Sequence, residues 1–346
     1  MANEGPVRLV QAGLGGFGRN WAGIARDAPG FDLVAVVDPV PAAREWAVGT
    51  LGIAPERVFA SLAEAVAVAR PEAALVVTPP ATHDAVARQA LGLGLHVLLE
   101  KPLATTLAEA RGMIAAADAA GRHLLVSQQY RHRWPARAAR AALGDGVVGP
   151  LAAVRVRFAR DTSDLFPPAD FRYTMPHPLV LDMSIHHVDL LRAVTGREVA
   201  RVYAQGWRVP GSRYATDPAC VATLTLDDGT PVVYDGDWAA TGPETSWNAD
   251  WEFLGERGRL TWTGPGDDAL AGTLVVHPVG GPARELPVPA PADVPADRPA
   301  VLAQLRRAVR EGVPADTDAR DNIRSLAVVL ACVASIETGE VVAPGA

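Results

Sequence analysis

Short runs of apolar residues alternate with longer stretches of helical periodicity through the first third of the chain. Such runs are typical of strands that are buried on both faces of a parallel sheet. Between them, apolar residues recur every three or four positions, as they do in amphipathic helices. Strands are predicted over residues 7–12, 33–37, 58–60, 74–77, 96–99 and 124–126. The pattern therefore predicts an α/β domain in which a parallel, doubly wound sheet is covered by helices on both faces.

The pattern changes after Gly149. Residues 153–158 alternate between apolar and polar positions, as a half-exposed strand does. Asp227-Asp228-Gly229 separates two further alternating runs and is typical of a hairpin turn. Strands are predicted over residues 221–226, 232–237, 251–254, 259–262 and 273–277, and a helix over residues 181–194. This part of the chain predicts an α+β domain with a large, mostly antiparallel, open-faced sheet.

The end of the chain has a third character. Residues 282–299 are rich in proline and alanine and predict an extended surface connection. Helices are then predicted over residues 300–311 and 319–337. The predicted organisation is an α/β domain over residues 1–128, an α+β domain over 129–299, and C-terminal helices over 300–346 that pack back on the body.

Charge and cysteine usage narrow the classes of function. The net charge is −7 and the basic residues are scattered, whereas a nucleic-acid-binding surface concentrates them. No apolar run approaches the roughly 18 residues that span a bilayer, and residues 1–6 do not resemble a signal peptide. Cys220 and Cys332 match no metal-ligand spacing. We therefore expect a cytoplasmic protein with buried thiols, no metal, and neither nucleic acid nor membrane as a partner.

A glycine-rich stretch joins the first predicted strand to the first predicted helix with the pattern G-x-G-x-x-G. In this context the glycines permit a tight turn, a close approach to a pyrophosphate, and packing of the helix on the strand. Free N–H groups at the helix start favour the anion. Asp38 ends the second strand, where a carboxylate accepts ribose hydroxyls and repels a 2′-phosphate. NAD is thus favoured over NADP, with Arg44 close enough in sequence to keep NADP open. The candidate cofactor residues of this region are Gly13, Gly15, Gly16, Phe17, Gly18 and Asp38.

One lysine occurs among the 32 basic residues of the chain, and it is Lys101. Arginine stays protonated, whereas the pKa of a lysine ammonium responds to its surroundings, so a lysine can exchange a proton at one point. Lys101 follows an apolar, strand-like run, and ligands gather at the carboxyl ends of the strands in open α/β sheets. Lys101 is therefore a candidate catalytic residue.

A second cluster of chemically useful residues lies on the helix predicted over residues 181–194. Asp182, His186 and Asp189 stand at positions i, i+4 and i+7, so a regular α-helix places all three on one face. An acid one turn from a histidine can orient the ring and stabilise its protonated form. The spacing indicates an acid–base group, although a structural histidine on a polar helix face stays an alternative.

Together these motifs identify the chain as similar to the glucose–fructose oxidoreductase / inositol dehydrogenase / rhizopine-catabolism (GFO/IDH/MocA) family. Glu100-Lys101-Pro102 resembles the E-K-P signature of that family, and Asp182-x-x-x-His186-x-x-Asp189 resembles its D-x-x-x-H-x-x-D helix. Residues 78–83 resemble its T-P-x-x-x-H stretch, which approaches the cofactor. The resemblance covers essentially the whole chain and implies an N-terminal Rossmann domain. It adds Thr78, Pro79, His83, Glu100 and Lys101 to the cofactor residues.

The resemblance also implies a chemical mechanism. A substrate hydroxyl is expected to lie between His186 and Lys101. His186, oriented by Asp182, is expected to remove its proton while hydride passes to the nicotinamide, and Lys101 to bind the developing oxyanion. Such proton transfer is typically worth about 10² to 10⁴ in rate.

Further polar side chains flank these motifs. Gln129 follows the sixth strand and is a candidate for the nicotinamide ribose or amide. Arg131 follows it, and Arg172 and Tyr173 precede the catalytic helix. The candidate substrate residues are Lys101, Arg131, Arg172, Tyr173, Asp182 and His186. Arg133 is equally compatible with a solvated helix start.

One segment departs from the family. A Gly-Gly pair commonly precedes the helix aspartate, but here the run is His177-Pro178-Leu179-Val180-Leu181. Proline fixes its own φ and lacks an N–H. The loop is therefore expected to differ in shape, which bears on the substrate more than on the chemistry.

Three functions remain open from the sequence. The favoured one is an NAD-dependent dehydrogenase that acts on a secondary alcohol of a sugar, sugar derivative or cyclitol. The alternatives are an enzyme that cleaves glycosides through transient oxidation, and a sensor that binds NAD and a sugar without turnover. The resemblance further implies a homodimer or homotetramer formed through the open sheet face.

Overall fold

The computed structural model describes residues 5–345. The chain forms two compact units. Unit 1 comprises the chain up to Gln129 together with Arg298–Ile323, and unit 2 comprises Tyr130–Asp297 and the chain from Arg324 onward. The domain boundaries predicted at residues 128 and 299 stay predictions.

Helices lie between the strands of the first unit, as the periodicity predicted. The helices that follow Ser61 and Thr106 begin at side-chain caps. Thr106 Oγ1 accepts a hydrogen bond from Glu109 N, and the Glu109 carboxylate accepts one from Thr106 N, each 3.2 Å long. Such reciprocal caps satisfy two N–H groups that the helix leaves unpaired. The α-helices are α1 (Gly16–Asp27), α2 (Pro41–Gly49), α3 (Leu62–Ala69), α4 (His83–Gly92), α5 (Leu107–Ala120), α6 (Trp134–Gly144), α7 (Ile185–Thr195), α8 (Asp297–Glu311) and α9 (Ala319–Thr338).

Unit 1 contains a parallel sheet, which confirms the α/β prediction. Its strands are β1 (Val7–Ala12), β2 (Phe31–Val37), β3 (Val58–Phe59), β4 (Ala73–Val76), β5 (His96–Leu99) and β6 (Leu124–Val126). They lie in the order β3-β2-β1-β4-β5-β6. The order reverses between β1 and β4, and ligands of such sheets bind at the carboxyl ends of the strands at this point.

The hydrophobic core of unit 1 lies between this sheet and its helices. Leu9 and Leu75 of the sheet pack with Trp21 of α1 in one buried cluster, which also contains Val301 and Leu305 of α8. Part of the C-terminal segment therefore completes the core of unit 1.

Unit 2 contains a mostly antiparallel sheet, as predicted. Its strands are β7 (Leu151–Ala159), β8 (Val199–Trp207), β9 (Ala219–Leu226), β10 (Pro231–Asp237), β11 (Asp250–Gly255), β12 (Gly258–Thr263), β13 (Thr273–Pro278) and β14 (Arg284–Leu286). They lie in the order β14-β13-β12-β11-β7-β10-β9-β8, with β7 and β10 parallel. On β7, Val154 and Val156 are buried whereas Arg155 and Arg157 are exposed. The period-two pattern therefore separates a covered face from an exposed face.

Two edge strands lie outside the predicted elements. β8 pairs with β9, and β14 pairs with β13. β14 and the start of α8 lie within residues 282–299, for which an extended connection was predicted. The backbone of β14 is extended, as predicted, whereas residues 297–299 are helical, so the prediction is wrong there. Pairing with a neighbouring strand supplies the backbone hydrogen bonds of β8 and β14, so the local composition is a weak guide to whether a strand forms at these positions.

Three findings concern residues 5–345 as a whole. None of their helices is long and apolar enough to cross a bilayer. They contain no cluster of three or more histidine, cysteine or acidic side chains that could hold a metal ion. Cys220 and Cys332 are buried, free thiols, and burial raises the pKa of Cys332 to about 12.

Candidate functional site

The glycine loop lies between β1 and α1, as predicted. Gly13 has a φ of +100°, and a Cβ built on it would lie 2.2 Å from the carbonyl oxygen of Val77. A Cβ on Gly18 would lie 2.4 Å from the carbonyl oxygen of Gly13. Both distances are far below van der Waals contact. The tight turn and the close packing of α1 therefore require glycine at these two positions.

The start of α1 is open to an anion. Gly15 is the N-cap residue, so the first turn has no side-chain cap, and it contains no acidic residue. A Cβ built on Gly15 or Gly16 would meet no atom within 4 Å. The unpaired N–H groups of this turn and the helix dipole favour a negative group in that space. Phe17, in the same turn, is 42% exposed. These features fit the pyrophosphate of a dinucleotide.

Asp38 lies beside the glycine loop and is nearly buried. Its Oδ2 accepts a hydrogen bond from Leu14 N at 2.8 Å, and its Oδ1 accepts one from Val40 N at 2.9 Å. Arg44 donates through Nη1 to the carbonyl oxygens of Asp38 and Pro39, at 2.8 and 2.9 Å. The carboxylate is thus held at the end of β2, while this nitrogen of Arg44 is engaged by the backbone.

Gln129 lies at the end of the chain segment that follows β6. Its side chain is buried, and its Oε1 atom has no hydrogen-bond partner within the protein. A buried polar atom without a partner in the protein can be satisfied by a bound ligand or by a water molecule. This orphaned oxygen fits the predicted role of Gln129 in binding the cofactor.

The Glu100-Lys101-Pro102 segment is anchored to α1. Glu100 is buried; its Oε1 accepts a hydrogen bond from Trp21 Nε1 at 2.7 Å, and its Oε2 accepts one from Lys101 N at 2.9 Å. The peptide bond between Lys101 and Pro102 is cis. Glu100 therefore links the helix behind the glycine loop to the segment that carries the lysine. Its predicted contact with the cofactor stays a prediction.

His83 supports two loops from behind. The ring is fully buried, and its nitrogens lie 2.8 Å from the carbonyl oxygen of Pro102 and 2.9 Å from that of Thr78. Burial lowers the pKa of His83. Thr78 is partly exposed and Pro79 is exposed, so both can meet a ligand directly. The ring therefore ties the two loops together, and the predicted contact between His83 and the cofactor stays a prediction.

In unit 2, the segment ahead of α7 differs from the prediction. Leu179–Ser184 form a π-helix that runs into α7. The uniform α-helix predicted from residue 181 is therefore wrong at its start. The common face of Asp182 and His186 was predicted from 3.6 residues per turn. Asp182 lies in the π-helix, whose turns are wider, so the common face stays a prediction. Short π-helical segments occur frequently at functional sites.

Asp182 forms a buried ion pair. Arg172 donates through Nε to Asp182 Oδ2 at 2.6 Å and through Nη1 to Asp170 Oδ1 at 3.1 Å. The guanidinium therefore lies between two carboxylates, and little of its side chain is exposed. That Asp182 orients His186, and that Arg172 contacts the substrate, both stay predictions.

Asp189 holds a second arginine. Arg131 donates through Nε and Nη2 to the two oxygens of Asp189, at 2.8 and 2.5 Å, and Ser325 Oγ donates to the same carboxylate at 3.1 Å. This bidentate pair joins the segment before α6 to α7. It directs two guanidinium nitrogens of Arg131 towards the protein, and a contact between Arg131 and the substrate stays a prediction.

The His186 ring stacks on Tyr130. The ring centroids are 4.1 Å apart and the planes differ by 5°. Arg133 is also buried, with its guanidinium over the ring of Tyr130. The solvated alternative for Arg133 is therefore wrong. No sequence motif includes Tyr130, although Tyr130 and Arg133 are three residues apart, the spacing that a 3₁₀ turn places on one side.

The neighbouring His187 is structural. Its Nδ1 lies 3.1 Å from Tyr234 Oη, which also accepts a hydrogen bond from Ser184 Oγ, and its Nε2 lies 3.2 Å from the carbonyl oxygen of Trp247. Burial lowers the pKa of His187 to about 4. A neutral ring therefore links α7 to the sheet.

Tyr173 holds the loop ahead of the π-helix. The residue is buried, and its hydroxyl donates to the carbonyl oxygen of Ser163 at 2.8 Å. The hydroxyl also lies 3.3 Å from Phe166 N, which donates to it. These bonds hold the loop in place, and a contact between Tyr173 and the substrate stays a prediction.

The loop that departs from the family pattern contains an ion pair. His177 has a φ of +45°, in the left-handed region that favours glycine. Its Nδ1 lies 2.7 Å from Asp217 Oδ2, and Glu337 Oε1 lies 3.8 Å from its Nε2. The hydrogen bond to Asp217 raises the pKa of His177. A histidine thus occupies a strained backbone position beside α7.

Comparison with known proteins gives consistent results. The GFO/IDH/MocA profile described as an oxidoreductase family with an NAD-binding Rossmann fold matches residues 7–128, and the profile of the C-terminal domain of that family matches residues 136–261. A D-apiose dehydrogenase of Paraburkholderia graminis is 29% identical over 343 residues, which cover 95% of this chain and 88% of that protein. A myo-inositol dehydrogenase of Streptomyces leeuwenhoekii is 32% identical over 243 residues, covering 68% and 70%.

Among solved structures, an oxidoreductase from Agrobacterium radiobacter in complex with NAD+, L-tartaric acid and magnesium has the same fold. The TM-score is 0.86 at 22% identity, with 99% of each chain covered. The two matched domains, the glycine loop and the arrangement of both sheets all indicate the same family. The chain belongs to the GFO/IDH/MocA family of oxidoreductases, and unit 1 contains its NAD-binding Rossmann domain.

Proposed function

We propose that this protein is an NAD-dependent dehydrogenase that oxidises a secondary hydroxyl of a sugar, a sugar derivative or a cyclitol. The observation that carries the proposal is the uncapped start of α1 beside Asp38, which has the shape and charge for a dinucleotide. The relatives named above include a D-apiose dehydrogenase and a myo-inositol dehydrogenase, which supports a polyhydroxylated substrate.

The cofactor would be held by unit 1. Backbone N–H groups of the first turn of α1 would bind the pyrophosphate, and Asp38 would accept the adenosine ribose hydroxyls. The orphaned Oε1 of Gln129 would receive a donor from the nicotinamide end, beside Thr78 and Pro79. When bound, the nicotinamide supplies the hydride acceptor.

The side chains of this protein then accept the hydroxyl proton and stabilise the charges that develop. We assign His186 to the removal of the hydroxyl proton, Asp182 to stabilising the protonated ring, and Lys101 to hydrogen bonding of the developing oxyanion. Arg131 and Arg172 are engaged by carboxylates, so they would shape the substrate side of unit 2 and hold the catalytic segment. Tyr173 would keep the loop in place.

The test is turnover with a panel that contains D-apiose, myo-inositol and L-tartrate, followed by NADH absorbance. Lys101→Ala and His186→Ala are expected to lower kcat by about 10² to 10⁴, while both variants still bind NAD, as measured by fluorescence. His277→Ala, on the strand β13, serves as a control that retains activity.

Other outcomes would contradict the proposal. Tight NAD binding without turnover on a broad polyol panel would favour a sensor. Cleavage of a glycoside without net NADH would favour the transient-oxidation mechanism. A variant of Lys101 or His186 with normal kcat would remove that residue from the mechanism.

The preference for NAD over NADP rests on Asp38. Its carboxylate would repel a 2′-phosphate, and Nη1 of Arg44 is engaged by backbone carbonyls. Asp38→Asn is expected to raise the Kd for NAD about tenfold or more, because a hydrogen bond to a charged group is worth about 1.5–3 kcal/mol. The same change should narrow the ratio of NADP to NAD Kd values. An unchanged ratio would contradict this role.

We also propose a homodimer or homotetramer that forms through the exposed face of the unit 2 sheet. Apolar side chains lie on this face: Tyr203 is 38%, Trp207 41% and Val233 44% exposed. Light scattering should therefore give a dimer or tetramer, and Val233→Asp should shift it towards the monomer. A monomeric parent protein would contradict the proposal.

A cytoplasmic location is likewise proposed from the sequence.

A further inference from the structure

Both faces of the Tyr130 ring are covered. The His186 ring lies parallel to it at 4.1 Å between centroids, and Cζ of Arg133 lies 3.3 Å from the Tyr130 centroid. Two planar groups this close to one ring would overlap if they shared a face, so they lie on opposite faces. All three residues are buried, with exposed fractions of 6% for Tyr130, 4% for His186 and 5% for Arg133.

The far end of this stack is anchored to distant segments. Arg133 Nη1 donates to Asn248 Oδ1 at 2.6 Å, and Arg133 Nε donates to Asp297 Oδ1 at 3.2 Å. Asn248 is fully buried and donates through Nδ2 to the carbonyl oxygen of Ala269 at 3.0 Å. The guanidinium is therefore held in one position and one orientation.

The local backbone geometry brings Tyr130 and Arg133 together. Residues Gln129–His132 form a 3₁₀ turn, and Arg133 follows at once. Because such a turn has three residues, Tyr130 and Arg133 lie on the same side of it. The Arg133 cation is attracted to the electron-rich face of the tyrosine ring.

We propose that Tyr130, braced by Arg133, is a positioning residue that fixes the ring plane of His186. Parallel stacking restricts rotation of the imidazole about its Cβ–Cγ bond, so it fixes the direction in which the two ring nitrogens point. Proton transfer requires the base to lie within hydrogen-bond reach of the hydroxyl. The inference rests on the proposed function, in which His186 is the base.

The inference differs from a general packing role in its consequences. A packing role would predict a similar loss for any change at Tyr130, mainly in stability. A positioning role predicts that an aromatic replacement retains activity and an aliphatic one does not. It also predicts that kcat falls while KM and cofactor binding stay nearly constant, because the ring acts on the chemical step.

The experiment compares Tyr130→Phe with Tyr130→Leu in the full chain with NAD and whichever of D-apiose or myo-inositol is turned over. Tyr130→Leu is expected to lower kcat about 10- to 100-fold, since a misplacement of about 1 Å can cost about 100-fold. Tyr130→Phe should retain kcat within about threefold, because the ring is preserved. In a His186→Ala background, Tyr130→Leu should cause no further loss.

An independent measurement does not need turnover. The ¹H–¹³C NMR signals of the His186 ring, assigned by their disappearance in His186→Ala, should carry a ring-current shift from Tyr130. The shift should persist in Tyr130→Phe and vanish in Tyr130→Leu. If the leucine variant does not fold, Tyr130→Met replaces it with the same expectations.

The outcomes separate the two proposals. Wild-type kcat in Tyr130→Leu, an equal loss in Tyr130→Phe, or an unchanged His186 signal would overturn the positioning role. Normal kcat in His186→Ala would instead remove His186 from the proposed mechanism. The positioning role would then fall with it, even if the ring-current shift vanished in Tyr130→Leu.

Discussion

Replacement of Glu100 by glutamine tests how the lysine segment is held. The change keeps the shape of the side chain but removes its charge and one of its two acceptor oxygens. In the native protein each carboxylate oxygen accepts one hydrogen bond, from Trp21 Nε1 at 2.7 Å and from Lys101 N at 2.9 Å. Glutamine can accept only one of these, and its NH₂ group faces the other donor.

The magnitude follows from burial. Glu100 is 6% exposed, so solvent cannot replace the lost acceptor. A hydrogen bond to a charged group contributes about 1.5–3 kcal/mol, and the free energy of unfolding should fall by about that amount. Because Lys101 N is one of the two donors, kcat is expected to fall as well.

Urea unfolding, followed by tryptophan fluorescence, measures the change. Glu45→Gln, an exposed acid on α2, is the matched control and should have no effect beyond about 0.5 kcal/mol. A double-mutant cycle with Trp21→Phe isolates the bond between the two side chains, because the cavity left by the smaller ring cancels. A Glu100→Gln variant as stable as the parent, or strictly additive changes in the cycle, would refute the reasoning.

Two further predictions concern the loops. Gly13→Ala should destabilise the fold by about 2 kcal/mol or more, because its φ is +100° and the new Cβ would lie 2.2 Å from Val77 O. Gly15→Ala, whose Cβ meets nothing, should instead fold normally but bind NAD more weakly by calorimetry; equal stability of both variants would contradict this. The pKa of His177 is raised in the folded state by its hydrogen bond to Asp217. Its contribution to stability is therefore fully present below the unfolded pKa of about 6.5 and is lost as pH rises through the higher folded value. The free energy of unfolding, measured with urea, should therefore exceed that of His177→Gln by less at about pH 9 than at about pH 6. A difference that stays constant with pH would contradict the interaction between His177 and Asp217.

The sequence predicted those features of the structure that depend on residues close together in the chain. The parallel and antiparallel sheets follow from periodicities within single segments, and the glycine loop follows from φ and contact requirements at Gly13 and Gly18. The family motifs are likewise short. The sequence pattern did not predict β8 and β14, because a strand at the edge of a sheet depends on the strand with which it pairs.

Local pattern therefore determined the fold class, the dinucleotide-binding loop and the identity of the candidate catalytic side chains. Only tertiary structure decided what these side chains contact. Trp21 and Glu100 are 79 residues apart, and Arg133 and Asp297 are 164 apart. The π-helix at Asp182, the burial of His83 and the stack on Tyr130 also depend on such contacts. Hydrophobic periodicity reports which face of a segment is buried, but a hydrogen bond or a ring stack needs a partner within a few ångströms, and only folding selects that partner.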